Sequence, residues 1–348
     1  MYDSTRSKND TDKNKDKIVT NGLSPIFILG PHKSGTTLLR SLFDGHSQMF
    51  AIPFESHYFK FRGYWIRSEY QKAKPKLNSN EEFIKNTKAY LEQLNSKTYN
   101  LADGFVQNQI DIGKYIESVQ NIKYSKSEIN RITIYFNALY EALEGKPNTN
   151  NLTVIEKSVE HAEFALELYQ MFPRAKFIHI VRNSYANVVS LRRFKQKCGH
   201  FPLYSRLFAT IYSNYYALYK NKSLIPNYFV IKYEDLVTNP EQSIQKLCKY
   251  LDVEFESILT APTIHNVQWH GNSSTGDILN GIDSSKIDNW KMEIYPIEIA
   301  LVNQLFDFIV RDFQFEAISQ HGSIWKMGKG EYPFRYLANR IYYKTIMY

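Results

Sequence analysis

The sequence predicts an α/β fold, in which a parallel β-sheet is flanked by helices and a helical insertion follows the second strand. The first observation is a set of short apolar runs, each followed by a segment with helical spacing: LTVIE at 152–156, KFIHIV at 176–181 and YFVIKY at 228–233. Strands that are apolar on both faces and alternate with helices are typical of a parallel sheet covered on both sides. With 348 residues, 43% of them hydrophobic, the chain can bury the core of one large domain of this kind.

The second observation is the segment 25–40, which reads PIFILGPHKSGTTLLR. An apolar run at 26–29 predicts the first strand, and a turn-rich loop ending at Gly35 leads into a helix that opens at Thr36. The first N–H groups of a helix lack internal acceptors and carry partial positive charge, so this loop should bind phosphate. The nucleotide-triphosphatase pattern G-x-x-x-x-G-K-[ST] is broken because Thr36 follows the second glycine and Lys33 lies inside the loop. The sequence therefore does not predict ATP hydrolysis.

The remaining elements follow in order along the chain. Residues 49–53 predict a short second strand, and residues 54–150 have helical spacing and are rich in Tyr, Lys, Asn and Glu. One helical face there is formed by Phe83, Thr87, Tyr90, Leu91 and Leu94. Further helices are predicted over 161–171, after Asn183 and over Pro240–Leu251.

The composition divides the chain into three parts. Residues 1–22 are polar with mixed charge and predict a disordered tail, whereas residues 23–318 predict a single domain with its helical insertion at 60–150. Residues 319–348 form a basic, aromatic segment that either packs on the domain or makes peripheral membrane contact.

The composition also bears on compartment and partners. No signal peptide or transmembrane segment is seen, and two cysteines fit a reducing compartment, so we expect a cytoplasmic protein. The formal net charge of +8 either favours anionic partners or reflects a general bias toward Lys and Asn. The charge is spread too evenly to mark a nucleic-acid stripe, so no nucleic acid partner is expected. The oligomeric state is not predicted.

Polar side chains follow two of the apolar strands. Lys157 comes directly after LTVIE, Arg182 directly after KFIHIV, and Ser190 follows Arg182 by eight residues. The carboxyl ends of parallel strands share one edge of a sheet, where ligands bind. An arginine offers a rigid fork for phosphate and a lysine a compact point charge, although Arg182 taken alone also fits a surface ion pair.

Together these segments closely resemble the superfamily of sulfotransferases that use 3′-phosphoadenosine 5′-phosphosulfate (PAPS). Its 5′-phosphosulfate loop is similar to GPHKSGTTLL, its 3′-phosphate motif to IVRNSYANVVS, and its third stretch to KYEDLVTNPEQSIQKLCKYLDV. The resemblance covers about 25–58, 152–193 and 229–300, and leaves the insertion unmatched. The motif layout is closest to the tyrosylprotein, carbohydrate-type and bacterial branches. It implies a sheet of the P-loop type that binds a nucleotide.

The resemblance implies transfer of a sulfuryl group from PAPS to a hydroxyl of a carbohydrate, a peptide tyrosine or a lipid, with no metal required. Lys33 is then expected along the bridging oxygen of the donor, as a catalytic and nucleotide-binding group. The resemblance assigns the 5′-phosphate to Ser34, Gly35, Thr36 and Thr37, and the 3′-phosphate to Arg182 and Ser190.

The acceptor hydroxyl must lose a proton, and the segment PFESHYF offers Glu55 and His57 for this task. The resemblance favours Glu55 as general base, with His57 in a structural or substrate-contacting role. Lys157 matches a lysine that stabilises the transferring sulfuryl group. Ser274, sixteen residues before Trp290, matches a catalytic serine but is equally a turn residue.

Lys286 and Trp290 are secondary candidates for nucleotide contact. Both lie in SSKIDNWKMEI, which resembles a stretch of the family that approaches the nucleotide. Trp290 fits core packing equally well.

Two other classes of function compete with this interpretation. A P-loop kinase of small molecules shares the sheet and the loop, but no lysine follows Gly35 and KFIHIV ends at Arg182 instead of a metal-binding Asp. A nucleotide-binding or nucleic-acid-binding module without catalysis would leave Glu55 and Lys157 unexplained.

Overall fold

Five parallel strands form the centre of the computed structural model, which describes residues 24–64, 66, 77–96, 109–149, 152–271 and 281–319. The strands are β1 (Ile26–Leu29), β2 (Met49–Ala51), β3 (Thr153–Glu156), β4 (Lys176–Val181) and β5 (Tyr228–Lys232), and they lie in the order β2-β3-β1-β4-β5. The middle strand β1 thus pairs with β3 on one side and β4 on the other. The predicted α/β fold is confirmed.

Helices connect the strands and cover both faces of the sheet. They are α1 (Thr36–Phe43), α2 (Tyr58–Phe61), α3 (Asn80–Asn95), α4 (Ile112–Val119), α5 (Glu128–Glu144), α6 (Ala165–Met171), α7 (Ser184–Lys197), α8 (Tyr204–Leu224), α9 (Tyr233–Thr238), α10 (Pro240–Leu251), α11 (Pro296–Leu305) and α12 (Asp307–Asp312). Short 3₁₀ segments occur at Gln120–Tyr124, Val159–Ala162, Ser257–Thr260 and Asn289–Met292, and two short antiparallel strands at β6 (Thr263–Ile264) and β7 (Val267–Gln268).

The two faces of the sheet build separate cores, because side chains alternate along a strand. In β1, Phe27 and Leu29 pack with the inserted helices α3 to α5, while Ile26 and Ile28 pack with α1 and α10. All four side chains are almost fully buried. Helices α7, α8 and α11 form a third apolar cluster around Tyr185.

The insertion after β2 is helical, as predicted, and it contacts the segment that follows β2. Helix α3 begins with a capping box between Ser79 and Glu82 and buries the predicted apolar face. The hydroxyl of Tyr90 in α3 donates to the carbonyl of Glu55 at 3.0 Å. The hydroxyl of Tyr135 in α5 donates to the carbonyl of Ser56 at 2.8 Å. The inserted helices therefore hold the backbone of this loop in place.

One predicted helix differs from the structure. The segment 161–171 forms a 3₁₀ turn over Val159–Ala162 and then helix α6, because Phe164 has φ −110° and ψ 12°, outside the helical region. The bounds of β1 and α10 agree with the sequence. The predicted N-terminal tail, and the C-terminal segment from residue 320, lie outside the described residues, so the domain boundaries stay predictions.

Among the residues that the structure describes, no helix combines the length and the apolar character needed to cross a membrane.

Tyr135→Phe should lower the free energy of unfolding by about 1–3 kcal/mol, because it removes a buried donor from the carbonyl of Ser56. Urea unfolding followed by circular dichroism measures the change. Tyr124→Phe is the control, since Tyr124 is 83% exposed and its change should stay within about 0.5 kcal/mol. An equal effect of the two substitutions would contradict the anchoring role of Tyr135.

Candidate active site

The predicted phosphate loop joins β1 to α1 and turns tightly against its neighbours. Gly35 has φ 101°, and a Cβ there would lie 2.4 Å from Cδ2 of Tyr233. Gly30 has φ 150°, and a Cβ there would lie 2.6 Å from the carbonyl oxygen of Ile180. Both positions therefore require glycine. The loop delivers the N-terminus of α1 to the edge of the sheet where β3 and β4 also end.

A half-buried arginine ties this loop to the end of β4. The Nη1 of Arg182 donates to the carbonyl of Lys33 at 2.8 Å, and its Cζ lies 4.5 Å from the ring centroid of Tyr233. The Nδ2 of Asn187 donates to the carbonyl of His32 at 2.7 Å. The loop, β4 and the start of α7 therefore form one rigid unit.

Two hydrogen-bond donors of this unit indicate an anion-binding site. Within the described part of the chain, the buried hydroxyl of Ser34 and the Nε of Arg182 have no hydrogen-bond partner. Buried donors are nearly always satisfied, so these two fit the oxygens of a bound phosphate. Thr36 and Thr37 are buried at the start of α1, and Ser190 is buried on α7.

The side chain of Lys33 lies against α7. Its ammonium lies 5.0 Å from the ring centroid of Phe194 on α7, and its backbone is left-handed with φ 65°. Its expected contact with the donor's bridging oxygen stays a prediction.

A group of four charged side chains lies at the ends of β2 and β3. The Nζ of Lys157 is 2.5 Å from Oε1 of Glu55, and Nε2 of His57 is 3.7 Å from Oε2 of the same carboxylate. The Nδ1 of His57 is 2.7 Å from Oε1 of Glu160. The side chains are mostly buried, from 3% exposed in Lys157 to 19% in His57. The structure therefore brings the predicted base and the predicted sulfuryl-binding lysine into direct contact.

The electrostatics of this group keep Glu55 ionised. Burial alone would raise the pKa of Glu55, but Lys157 and then His57 outweigh it and hold that pKa well below its usual value. Oxygen and nitrogen atoms of Glu55, His57 and Glu160 lie within 4.8 Å of one another, a donor set of the kind that binds cations. Because the ammonium of Lys157 already neutralises Glu55, the arrangement is an ion-pair network.

The buried carboxylate of Glu156 fixes the backbone of the segment that carries Glu55 and His57. Oε1 of Glu156, the last residue of β3, accepts from the hydroxyls of Ser56 at 2.7 Å and Ser158 at 2.5 Å. Oε2 of Glu156 lies 2.5 Å from Nδ1 of His161. The hydroxyl of Ser158 also accepts from the backbone N–H of His57 at 3.1 Å. The positions of residues 55–57 are therefore set from β3.

The other predicted site residues lie apart from these contacts. Lys286 is exposed, and its backbone carbonyl accepts from the N–H of Asn289. Trp290 is 6% exposed and stacks on Tyr185 with ring centroids 5.5 Å apart, which supports the core-packing alternative. A nucleotide contact by either residue stays a prediction. Ser274 lies outside the described residues.

Sequence reasoning missed Glu156, Glu160 and Tyr233. One signal was present, because the segment EKSVEH places two carboxylates and a histidine directly after a buried strand. Tyr233 is the last residue of YFVIKY, and the ends of such strands carry functional groups.

The chain was compared with known proteins. The sequence model of the sulfotransferase family matches residues 25–257. Two curated relatives are omega-hydroxy-beta-dihydromenaquinone-9 sulfotransferase Stf3 of Mycobacterium tuberculosis and of Mycobacterium bovis, each 30% identical over 119 residues. The matched part covers 31% of this chain and 31% of the length of each relative.

Two solved structures are similar in fold. The sulfotransferase domain from the curacin biosynthetic pathway is 23% identical, with a TM-score of 0.50 over 85% of this chain and 99% of that one. The sulfotransferase domain of the Synechococcus PCC 7002 olefin synthase is 20% identical, with a TM-score of 0.50 over 82% of this chain and 95% of that one. At these identities the likeness shows the fold alone.

Lys157→Met should lower the free energy of unfolding by about 3 kcal/mol near pH 7.5, because it leaves the carboxylate of Glu55 buried without its main counter-charge. The lysine holds the pKa of Glu55 below the ordinary 4.5, so its stabilisation is present above pH 4.5 and is lost as the pH falls. The deficit of the variant should therefore shrink on acidification. Urea unfolding at several pH values measures it.

The matched control is Lys88→Met. Lys88 and Glu92 form an exposed ion pair at 3.5 Å, so its loss should cost less than about 1 kcal/mol. A deficit of Lys157→Met that stayed constant with pH would contradict the pairing with Glu55.

Proposed function

Because the chain belongs to the sulfotransferase family, we propose that it transfers a sulfuryl group from PAPS to a hydroxyl acceptor, with Glu55 as general base. The observation that carries this proposal is the position of the phosphate loop, which follows β1 between the ends of β3 and β4. Lys157 and Glu55 therefore lie on one side of the loop and Arg182 on the other.

The residues of the loop fit a donor that carries two separate anionic groups. Ser34 and the N-terminus of α1 would bind the 5′-phosphosulfate, because the buried hydroxyl of Ser34 has no hydrogen-bond partner among the described residues and a helix N-terminus favours anions. Arg182 and Ser190 would bind the 3′-phosphate, which distinguishes PAPS from ordinary adenylates. The bond from Arg182 to the carbonyl of Lys33 couples the two halves of this donor site.

The transfer itself would be in line. A bond forms between the acceptor oxygen and sulfur, while the bond between sulfur and the bridging oxygen of the nucleotide breaks, and the acceptor proton passes to Glu55. Lys157 and Lys33 would stabilise the negative charge on the sulfuryl oxygens and on the leaving phosphate. Glu55 is ionised at neutral pH and so is ready to accept the proton. In this proposal no step needs a metal ion.

The acceptor side offers aromatic faces beside the base. The ring of His57 lies 5.6 Å from that of Tyr90 and 6.0 Å from that of Phe61, and both of these rings are half-buried. The curated relative Stf3 is named for a hydroxylated dihydromenaquinone. We therefore propose a lipid alcohol as the leading acceptor class, with carbohydrate and peptide tyrosine as the alternatives to test.

The donor assignment predicts that 3′-phosphoadenosine 5′-phosphate binds much more tightly than 5′-AMP. Arg182→Ala should erase most of that preference, a loss of roughly tenfold or more, because a charge-assisted hydrogen bond contributes about 1.5–3 kcal/mol. Isothermal titration calorimetry measures both affinities. The exposed Arg174 provides the control Arg174→Ala, which should keep the preference.

Equal affinity of the wild type for the two nucleotides would refute PAPS as donor. Tight binding of ATP that requires Mg²⁺ would instead support the small-molecule kinase.

The base assignment predicts that Glu55→Gln lowers turnover by roughly a hundredfold or more while it preserves nucleotide binding. Transfer of labelled sulfate from PAPS to long-chain alcohols, saccharides and tyrosine peptides measures turnover and identifies the acceptor. The pKa of Glu55 is well below its usual value, so Glu55 is already ionised between about pH 6 and 8. Ionisation of Glu55 should therefore cause no rise in wild-type turnover over this range. His57→Ala should be milder.

Glu167→Gln serves as the control, because Glu167 is exposed on α6. A fully active Glu55→Gln variant, beside a folded but inactive His57→Ala variant that still binds nucleotide, would reverse the assignment of the base.

A further inference from the structure

His57 is held between two carboxylates that come from different parts of the chain. Its Nδ1 lies 2.7 Å from Oε1 of Glu160, and its Nε2 lies 3.7 Å from Oε2 of Glu55. Glu160 belongs to the 3₁₀ turn after β3, and its side chain is 5% exposed. The roles proposed for Glu55 and Lys157 make no use of Glu160.

We propose that Glu160 is a positioning residue for the general base. Its bond to Nδ1 fixes the imidazole ring of His57, so that Nε2 faces Oε2 of Glu55, while Oε1 of the same carboxylate contacts Lys157. This inference rests on the proposed function of Glu55.

The geometry gives each member of the group one task. Lys157 holds Oε1 of Glu55, and a carboxylate held at one oxygen can still rotate about its Cγ–Cδ bond. The imidazole of His57, with Nε2 3.7 Å from Oε2, adds an electrostatic contact that favours one plane of the carboxylate. Proton transfer needs the base within hydrogen-bond reach of the acceptor hydroxyl, so a fixed plane favours turnover.

The backbone of His57 is already constrained, which leaves the ring orientation to Glu160. His57 has φ 51°, a left-handed conformation that is costly for a residue other than glycine. Its N–H donates to the hydroxyl of Ser158, and the rings of Tyr90 and Phe61 meet its ring nearly edge to face. Those ring contacts are apolar, whereas Glu160 selects Nδ1 as the donor.

The charges around His57 support the same role. Burial lowers the pKa of His57, but Glu160 and then Glu55 outweigh it and raise that pKa, while Lys60 on α2 opposes them. His161 lies beyond Glu160, and His32 of the phosphate loop and Lys157 face the same two carboxylates. With His57 protonated, two carboxylates balance one imidazolium and one ammonium. Loss of the charge on Glu160 therefore leaves an excess positive charge and should lower the pKa of His57.

The test compares Glu160→Gln and Glu160→Ala with the exposed control Glu167→Gln. Glutamine keeps an acceptor for Nδ1–H but not the charge, whereas alanine removes both. Glu160→Ala should lower kcat for sulfate transfer by about tenfold or more, with KM for PAPS within about twofold, and Glu160→Gln should restore most of the rate. Both variants should lower the pKa of His57, followed by NMR of ¹⁵N-labelled histidine. Affinity for 3′-phosphoadenosine 5′-phosphate confirms that each variant is folded.

The outcomes separate the two proposals. An unchanged pKa of His57 or an unchanged kcat in Glu160→Ala, with normal transfer by the wild type, would overturn the role of Glu160 alone. An equal loss of rate in both variants together with lost nucleotide binding would show a purely structural role and also overturn it. Absence of transfer by the wild type to every acceptor class would instead refute the proposed function.

Discussion

The order of the five parallel strands is the constraint on which the candidate site depends. Because β1 lies between β3 and β4, the phosphate loop leaves the sheet between two strand ends that each carry a cationic side chain, Lys157 and Arg182. Both residues are far from the loop in the sequence. A strand order that placed β1 at an edge would leave one of them a strand further away. The strand order therefore brings the proposed donor and acceptor halves of the site next to each other.

The candidate site also depends on the buried carboxylate of Glu156. It binds the hydroxyls of Ser56 and Ser158 and contacts His161, so it joins the segment after β2 to the segment after β3. A buried carboxylate is costly unless it is compensated. Here Oε1 accepts from two hydroxyls, and Oε2 lies 2.5 Å from Nδ1 of His161. Glu55 follows β2 and Lys157 follows β3, so their ion pair requires these contacts of Glu156 to hold the two segments together.

The parts of the fold that follow from local pattern could be predicted from the sequence. The bounds of β1 and α10 and the start of α1 at Thr36 agree with the structure, because they follow from apolar runs, a Pro at a helix start and a glycine-ended loop. The contact of Glu160 with His57 could not, since it joins positions 103 residues apart. The break of the helix before α6 was also missed, because it depends on the backbone angles of a single residue, Phe164.

The hydroxyls of Tyr90 and Tyr135 reach the loop at Glu55 and Ser56 through backbone carbonyls. A carbonyl is present whatever side chain its residue carries, so these two anchors do not depend on which amino acids occupy the loop. Substitutions at Glu55 and His57 can therefore change the chemistry of the loop without removing these two anchors, whereas Ser56 also binds Glu156 through its side chain. If this loop contacts the acceptor as proposed, the inserted helices let acceptor preference diverge, in evolution or in the laboratory, on an unchanged backbone.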